Sequence, residues 1–310
     1  MPRPFHISVV INTFNRAASL DTAIRSLRRL NYPYFEVIVV NGPSTDNTMR
    51  VLKSWSGSIR IGTCSDRNLS VSRNVGIEMA RGDLVAFIDD DAVADENWLD
   101  DAAAGFDNDE VAGTGGAVFN HTGYAAQYRY NVADRLGNAF FDRKSPALEF
   151  CYPACTRFPY LPGGNSLFRR RCLLEVGGFD EEFDYYLDET DVCLRLVDAG
   201  YLLKQLPNAF VYHRNLPSHA RNTSRVVTDW RSIVKNKVYF ALKNALEDTT
   251  FMTLMKDWDE YTAGVESVLK EHVTLGNIEP ETLDRFYTDA DASLRTGILR
   301  GITQPRRFLG

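Results

Sequence analysis

Three runs of consecutive apolar residues, each followed by polar side chains, constrain the fold of this chain most strongly. They are residues 7–11 (ISVVI), 37–40 (VIVV) and 84–88 (LVAFI). Because these runs are continuous and rich in β-branched residues, they predict strands that are buried on both faces, as in a parallel sheet.

Segments with helical periodicity lie between these runs. Residues 17–30 carry apolar side chains at helical spacing, with Ser19 as the predicted N-cap, and residues 44–55 and 70–80 have similar patterns. Alternation of strand and helix predicts a doubly wound α/β arrangement. A length of 310 residues suffices for one large domain, alone or with a smaller appendage.

Each predicted strand ends in a polar cluster. The clusters are residues 12–16 (NTFNR), 41–46 (NGPSTD) and 89–91 (DDD). Ligands of open parallel sheets bind outside the carboxyl ends of the strands. We therefore expect the three clusters to border one cleft.

The remainder of the chain gives weaker signals. Residues 112–119 and 161–168 read as strands, and most of the poorly periodic segment between them is interpreted as a mobile or substrate-facing insertion. Helices are predicted at 171–176 and 190–199, and a short strand at 209–212. Helical periodicity dominates after Pro217, so a boundary is placed near residue 216, with a helical C-terminal part at 216–310.

Composition excludes some classes of protein. A net charge of -6 argues against a nucleic-acid binder, which needs a basic surface. Five cysteines without zinc-ribbon spacing favour reduced, buried thiols. We find no signal-peptide pattern and no run long enough to span a membrane, so a cytoplasmic protein is expected.

Several acidic residues could carry chemistry. Asp89, Asp90 and Asp91 would repel one another at a strand end unless they face a divalent cation such as Mg²⁺ or Mn²⁺, although a solvated acidic turn is an alternative. Residues 188–191 (DETD) open a helix, where capping accounts for some carboxylates and one could act as a general base. Taken alone, His213 and Arg73 are most simply ordinary surface residues.

Motifs of other enzyme classes are missing from the sequence. No strand is followed by GxGxxG, and GxxxxGK[ST], GxSxG and HExxH do not occur. Nicotinamide dehydrogenases, P-loop nucleotidases, serine hydrolases and zinc proteases are thus disfavoured. A nucleotidyltransferase stays open as a rival, but residues 12–16 lack the glycines of a basic phosphate loop.

The motifs, taken in order, resemble family 2 glycosyltransferases. The segments concerned are ISVVINTFNR (7–16), VIVVNGPSTDNT (37–48), SRNVGI (72–77), RGDLVAFIDDD (81–91), LPGGNSLFRR (161–170), GGFDEEF (177–183) and DETDVCLRL (188–196). The resemblance covers roughly residues 5–215. It implies a GT-A fold with a mixed sheet flanked by helices, a nucleotide-sugar-binding half at about 1–118, an acceptor-side half at about 119–215 and a helical C-terminal extension at 216–310.

The resemblance also implies roles for individual residues. Thr13 and Asn41 fall where the family contacts the nucleobase, Asn41 replacing the more usual Asp. Asp91, Asp89 and His213 fall on the metal positions, so Mn²⁺ or Mg²⁺ is the expected cofactor. The residues implied to bind the nucleotide-diphospho-sugar are Thr13, Asn15, Arg16, Asn41, Ser44, Arg73, Asp89, Asp90, Gly163, Gly164 and Asn165.

The reaction implied is a single inverting displacement. Glu189 aligns with the catalytic base of the family, with Asp188 second and Asp191 third. The donor would be a UDP-sugar or a dTDP-sugar, and the acceptor a hydroxyl of a glycan, a lipid-linked molecule or another compound. An inactive sugar-nucleotide-binding or partner protein is the alternative.

The C-terminal part carries two further expectations. A basic helix at 225–243 could touch the cytoplasmic face of the inner membrane, although packing on the catalytic part explains it as well. The C-terminal helices are also where a homodimer contact is expected.

Overall fold

The structure is a computed structural model that describes residues 4–141 and 144–309. The strands are β1 Ile7–Thr13, β2 Phe35–Asn41, β3 Arg60–Thr63, β4 Leu84–Asp89, β5 Ala92–Ala94, β6 Val111–Asn120, β7 Ala126–Tyr128, β8 Val132–Asp134, β9 Ala139–Phe140, β10 Arg157–Pro159, β11 Asn165–Arg169 and β12 Leu202–His213. The α-helices are α1 Ala17–Leu27, α2 Thr48–Ser54, α3 Leu69–Met79, α4 Trp98–Ala104, α5 Arg170–Glu175, α6 Asp188–Asp198, α7 Arg231–Asn244, α8 Phe251–Thr274 and α9 Glu281–Thr303.

The main sheet is mixed and has nine strands in the described ranges. Eight of them follow the order β3-β2-β1-β4-β11-β6-β12-β5, and β7 pairs with β6. Strands β1 to β4 are parallel, β11 is antiparallel to both its neighbours, and β12 runs parallel to β6. Strands β10, β8 and β9 form a small separate sheet. The α/β class expected from the sequence is confirmed, with a mixed sheet between helices.

Both faces of the central strands are buried, as their continuous apolar runs predict. In β1, Val10 packs into one core with α3 and α6 residues, whereas Ile7, Val9 and Ile11 pack into a second core with α1 and α4 residues. Strands β2 and β4 divide their side chains between the same two cores. Parallel strands covered by helices on both faces need such uninterrupted apolar sequence.

The helix starts differ from the predicted ones. Ser19 is not the N-cap of α1 but lies within it, and its hydroxyl donates to the Arg16 carbonyl at 3.1 Å. The Asp46 carboxylate instead accepts from the Ala17 amide at 3.2 Å and from the Thr48 amide at 2.9 Å. One side chain from the following loop thus serves the first turns of both α1 and α2, which local sequence could not reveal.

Several strands were missed or have other bounds than predicted, since β5 was not expected and β11 begins at residue 165 rather than 161. Strand β3 was not predicted, and β12 begins at residue 202 rather than 209. The register of β12 against β6 shifts between Leu206 and Val211, where Pro207 cannot donate to the ladder. The segment interpreted as an insertion contains the ordered strands β7 to β10, with residues 142–143 outside the described ranges.

The C-terminal helices pack against the sheet domain. Tyr239 and Phe240 of α7 belong to the same core as the strands, and Gly297 and Gly301 bring α9 close to α7. The structure therefore has the expected helical character after residue 216, while a domain boundary there stays a prediction. None of the described helices is long and apolar enough to cross a membrane.

The basic helix expected at 225–243 is not a single exposed basic face. Arg225 precedes α7, and Lys237 is buried, donating to Asp257 at 2.8 Å. Lys235 pairs with Glu182 at 3.3 Å. Lys235 and Lys237 are thus paired within the protein, whereas Arg225 and Arg231 are exposed, and membrane contact stays a prediction.

Candidate active site

The polar clusters meet at one edge of the main sheet. Parallel pairing sets Thr13 beside Asn41 and Asn12 beside Asp89, at the ends of β1, β2 and β4. Strand β12 runs in the same direction and ends at His213, which pairs with Ala92 just after the three aspartates. The side chains that follow these strands therefore border one cleft.

Asp89, Asp91 and His213 form a group suited to a divalent cation. One potential ligand atom from each lies within 4.8 Å of the others. The His213 Nε2 atom is 3.0 Å from Asp91 Oδ1 and 3.7 Å from Asp89 Oδ2. His213 Nδ1 donates to the side-chain oxygen of Gln127 at 2.9 Å, which orients the ring with Nε2 towards the carboxylates. Two carboxylates and an imidazole fit Mn²⁺ or Mg²⁺ better than a soft metal.

Neighbouring groups set the protonation of the two buried aspartates differently. Burial opposes ionisation of Asp91, but hydrogen bonds from His213 and the Leu216 amide, with the Arg16 charge, lower its pKa to about 2. Burial dominates at Asp90 and raises its pKa to about 7, despite a hydrogen bond from Thr13 at 2.7 Å. Asp91 is thus the ionised carboxylate of the pair at neutral pH, as a metal ligand must be.

Arg73 and Asp188 form a buried ion pair beside this group. Their side chains are 4% and 1% exposed, and a short hydrogen bond joins them. The Arg73 guanidinium also lies 5.1 Å from the ring centroid of Phe179. Glu189 is farther from Arg73, at 3.8 Å, and its side chain is 22% exposed. Asp188 is therefore fixed by a cation, whereas Glu189 faces the cleft.

The environment of Glu189 favours its neutral form. Burial and the adjacent Asp188 charge raise the pKa of Glu189 well above its ordinary range, and Arg73 only partly offsets them. A raised pKa suits a carboxylate that must accept a proton near neutral pH. Asp191 lies elsewhere, fully buried between Arg195 and Arg306.

Two glycines allow the chain to approach these charged groups. A Cβ atom at Gly163 would collide with the Arg73 guanidinium, and one at Gly164 would collide with the Asp89 carboxylate. The absence of side chains at these positions keeps the cleft open next to the possible metal ligands.

Two adjoining cavities occupy the cleft. The first, of about 470 Å³, lies between the residues after β1 and the segments 66–69 and 217–219. The second, of about 440 Å³, is lined by the group of Asp89, Asp91 and His213, by Arg73, Asp188 and Glu189, and by both glycines. The residues that border both cavities are Arg16, Leu69, Asp90, Tyr185, Ser218 and His219.

Three implied donor residues stand behind the cavity walls. The Asn41 side-chain oxygen accepts from Ser44 at 2.8 Å, and Ser44 in turn accepts from the Asn15 amide at 2.9 Å. Asn165 is fully buried, where it accepts from the Trp98 indole at 2.7 Å and donates to two main-chain carbonyls. Asn41, Ser44 and Asn165 are not among the residues that line either cavity.

Sequence reasoning missed several residues of the cleft. They come from three loops, from β7, from the residue before α7 and from α8: Asp66, Arg67, Gln127, Tyr128, Tyr185, Tyr186, His219, Arg221, Trp230 and Tyr261. The pair Tyr185-Tyr186 directly precedes the acidic helix start and was the one local signal available. The others are brought to the cleft only by tertiary contacts.

Comparison with known proteins agrees with this geometry. The family described as Glycosyl transferase family 2 matches residues 8–177, more than half of the chain. This chain belongs to that family. The candidate site residues of this chain after position 177, including Glu189 and His213, lie outside the matched segment.

Curated relatives of this glycosyltransferase family member are matched over only part of their own length. Chondroitin synthase of Pasteurella multocida is 27% identical over 274 residues, which cover 77% of this chain and 28% of that protein. Glucosyl-dolichyl phosphate glucuronosyltransferase of Haloferax volcanii is 28% identical over 214 residues, covering 62% and 63%. The chain thus spans about a quarter of the synthase and under two thirds of the glucuronosyltransferase.

Solved structures share the fold. The mannosyltransferase PcManGT from Pyrobaculum calidifontis, in complex with GDP-Man and Mn²⁺, aligns with a TM-score of 0.58 at 17% identity, covering 97% of this chain and 88% of that one. GalNAc-T7 with UDP, GalNAc and Mn²⁺ aligns with a TM-score of 0.60 at 18% identity, covering 78% and 48%. The GT-A fold expected from the sequence is confirmed.

Proposed function

We propose that this protein transfers a sugar from a nucleoside diphosphate to a hydroxyl group of an acceptor. The observation that carries the proposal is the second cavity, in which Glu189 stands in the same enclosure as Asp89, Asp91 and His213. Such a site can hold a diphosphate leaving group on one side and a deprotonating carboxylate on the other.

The first cavity suits the nucleoside. Its walls are the chain after β1, the segment 66–69 and the loop around His219, and it opens into the second cavity beside Arg16. Solved structures with this fold hold UDP or GDP-Man together with Mn²⁺. We take a UDP-sugar as the first candidate donor and a dTDP-sugar as the second.

Asp89, Asp91 and His213 would hold the divalent cation. When bound, such an ion neutralises the charge that develops on the leaving diphosphate. Arg16 already contacts Asp91 at 3.4 Å and lies between the two cavities, so it can contribute positive charge to the same phosphate region. Arg221 lines the second cavity, with neutral partners in Asn215 and Tyr185, and can contribute in the same way.

Glu189 is the proposed base. It would take the proton of the acceptor hydroxyl while that oxygen bonds to the anomeric carbon and the nucleoside diphosphate departs with its electron pair. Attack opposite to the leaving group inverts the anomeric centre. Asp188 is engaged by Arg73 and Asp191 by two arginines, so neither has the freedom of Glu189. Catalysis rests on positioning and charge stabilisation.

A ligand-dependent thermal shift tests the proposal. UDP, dTDP, GDP and CMP are added to the protein with and without Mn²⁺, and the change in melting temperature on ligand addition is compared between variants. We expect a metal-dependent shift with one diphosphate, lost in Asp91→Asn and kept in the control Asp109→Asn, whose side chain is 91% exposed and remote from the cleft.

The matching sugar nucleotide is then incubated with the protein and the products are analysed by mass spectrometry. Release of the nucleoside diphosphate supports sugar transfer or hydrolysis, whereas the nucleotidyltransferase rival would cleave the sugar nucleotide only with added pyrophosphate, giving a nucleoside triphosphate and a sugar 1-phosphate. No shift with any diphosphate in folded, metal-loaded protein would refute the proposal. Cytoplasmic location, membrane contact and dimer formation stay predictions of the sequence.

A further inference from the structure

The wall of the second cavity beyond Glu189 is aromatic. It is built from Tyr128, Tyr185, Tyr186, Trp230 and Tyr261. Their side chains are all partly exposed, so they present ring surface to the cavity and are not simply part of a core. An enclosure of aromatic faces beside a few polar groups is the usual make-up of a small-molecule site.

Four of these five rings lie outside the family match, and two of the four belong to the C-terminal part of the chain. Trp230 immediately precedes α7 and Tyr261 lies in α8, whereas the match ends at residue 177. The C-terminal helices therefore complete a cavity whose charged residues come from the sheet domain. Proteins of this fold with other C-terminal segments would have other residues at this wall of the cavity. We therefore expect this wall to determine which acceptor is selected.

The two rings are held in place by their own contacts. The Trp230 indole N–H donates to the Val227 carbonyl at 3.2 Å, and its ring packs edge-on against Phe286 with centroids 5.8 Å apart. The hydroxyls of Tyr261 and Tyr186 lie close enough to influence each other's pKa. The Lys237 ammonium lies 5.4 Å from the Tyr261 ring centroid. A fixed aromatic wall loses little conformational entropy when a ligand stacks on it.

The charges of the cavity restrict what can occupy this wall. Asp188 and Glu189 border it, and the nearby Arg73 is already neutralised by Asp188. A phosphate-bearing acceptor placed next to Glu189 would meet carboxylates, because Arg73 is paired with Asp188 and the other two arginines of the cavity, Arg16 and Arg221, are assigned above to the donor phosphates. A sugar ring instead offers apolar C–H faces for the aromatic rings and neutral hydroxyls for the carboxylates.

We propose that the second cavity binds a pyranose ring at the end of a glycan acceptor, stacked on Trp230 and Tyr261 with one hydroxyl directed at Glu189. This inference rests on the proposed function and specifies its acceptor class. Trp230 and Tyr261 would determine acceptor binding without taking part in donor binding, since neither lines the first cavity.

Kinetics with defined acceptors test the inference. With the donor found by thermal shift, transfer is measured to p-nitrophenyl β-glucoside, β-galactoside, β-N-acetylglucosaminide and β-glucuronide. Farnesyl phosphate and a serine-containing peptide serve as acceptors of other classes. Slow hydrolysis of the donor without acceptor reports on donor binding and chemistry independently of this wall.

We expect transfer to at least one glycoside. Trp230→Ala should raise the acceptor KM about tenfold and leave donor hydrolysis within about twofold of wild type, since a centrally placed aromatic contact carries roughly this much binding energy. Trp230→Phe should give an intermediate KM, and Tyr261→Ala a second, independent increase. Tyr124→Ala is the matched control, because that ring is 94% exposed and outside the cavity.

The inference is overturned if the protein uses only farnesyl phosphate or only the peptide. It is equally overturned if both Trp230→Ala and Tyr261→Ala fold, hydrolyse donor and keep the wild-type acceptor KM. Absence of both donor hydrolysis and sugar transfer in the wild type would refute the proposed function, and the inference with it. A soluble glycoside and a lipid-linked sugar offer the same ring to the cavity. A lower KM for a lipid-linked version of the best glycoside would identify the lipid-linked sugar as the acceptor.

Discussion

At the scale of single residues, Asp188 and Glu189 show how adjacent carboxylates acquire different tasks. Asp188 is 1% exposed and bonded to Arg73, so its negative charge is part of a buried pair. Glu189 is directed to the second cavity, with an environment that raises its pKa well above the ordinary range. Removing the charge of one residue should damage stability, and removing the charge of the other should damage chemistry.

A comparison of Glu189→Gln with Asp188→Asn tests this division. Glu189→Gln should retain the nucleotide-induced thermal shift and lose transfer by about two to four orders of magnitude, the usual range for a general base. Asp188→Asn should lower the free energy of unfolding by about 3–5 kcal/mol, because Arg73 is left buried without its counter-charge. Urea unfolding and single-turnover transfer measure the two quantities. Transfer by Glu189→Gln at near the wild-type rate would show that another group is the base.

The raised pKa of Glu189 also leads us to expect that Glu189→Gln is more stable than wild type in a pH-dependent way. Its pKa is raised on folding, first by burial and then by the Asp188 charge, so the folded protein favours the protonated form. The stabilisation is complete below the unfolded pKa and is lost as the pH rises through the folded pKa. Glu189→Gln imitates the neutral form, so it should melt above wild type at neutral pH and converge with it in acid. Melting curves across this range check the sign, and a variant less stable than wild type at neutral pH would contradict it.

The sequence located the carboxylates of the metal group and of the α6 start, and it missed the aromatic residues of the cleft and the charged Asp66, Arg67 and Arg221. Asp89 and Asp91 follow a buried strand, so local pattern was enough to expect them at the cleft. Gln127 and Trp230 could not be found in this way. Gln127 reaches His213 across 86 positions, and Trp230 enters the cavity because a helix packs on the sheet domain. Such contacts depend on the tertiary fold and leave no local periodicity.

At the scale of elements, the start of α6 depends on a turn in unusual conformation. Tyr186 and Leu187 have φ of 74° and 66°, in the left-handed region that side chains rarely adopt. Asn236 of α7, itself fully buried, donates its amide to the Tyr185 carbonyl at 2.7 Å and the Tyr186 carbonyl at 3.1 Å. These bonds fix the turn from which Glu189 emerges, and they offset its strain.

Asn236→Ala should therefore affect Glu189 without touching the donor site. We expect kcat for transfer to fall at least about tenfold, because displacing a catalytic group by a fraction of an ångström has costs of this order. The nucleotide-induced thermal shift should persist. Asn208→Ala is the matched control, since that amide is exposed and bonds only Asp101 among the described contacts. Equal loss of donor binding and kcat in Asn236→Ala would indicate general unfolding and contradict the positioning role.

Elements of simple periodicity were predicted well, and irregular ones were not. Strands β1, β2 and β4 are continuous apolar runs and were found in the sequence. Strand β12 was truncated because Pro207 and Asn208 resemble a turn, although they form an irregularity within a longer strand. The turn at Tyr186 and Leu187 was invisible for a different reason, since nothing local favours a left-handed tyrosine and leucine.

At the scale of the whole molecule, the C-terminal helices and the segment after them contact the acidic segment 180–184, which leads into α6. Lys235 of α7 and Arg300 of α9 both contact Glu182, and Tyr239 donates to Asp180 at 2.8 Å. The segment after α9 also contacts these acidic residues, since the Arg307 carbonyl accepts from the Glu181 amide at 2.8 Å. The C-terminal part is thus expected to govern the position of the proposed base, Glu189, in addition to completing the aromatic wall.

Arg306 is the most buried cationic contact between this final segment and α6. Its guanidinium donates to Asp191, to Asp180 at 3.3 Å and to the Asn244 side-chain oxygen at 2.7 Å. Both carboxylates are 0% exposed, so removal of the cation leaves two buried acids under-compensated. Arg306→Gln should lower the free energy of unfolding by about 3–5 kcal/mol.

The neighbouring Arg307 supplies the matched control, because its side chain is 54% exposed and meets Glu181 at 3.4 Å. A solvent-exposed pair of this kind contributes about 0–1 kcal/mol, so Arg307→Gln should unfold close to wild type. Urea unfolding of both variants, followed by far-ultraviolet circular dichroism, measures the difference. If the two substitutions cost the same, the final segment only covers the surface and the position of α6 is set without it. If Arg306→Gln alone is destabilised, α6 and the proposed base Glu189 depend on Arg306, which lies more than a hundred residues after its partner Asp191 in the sequence.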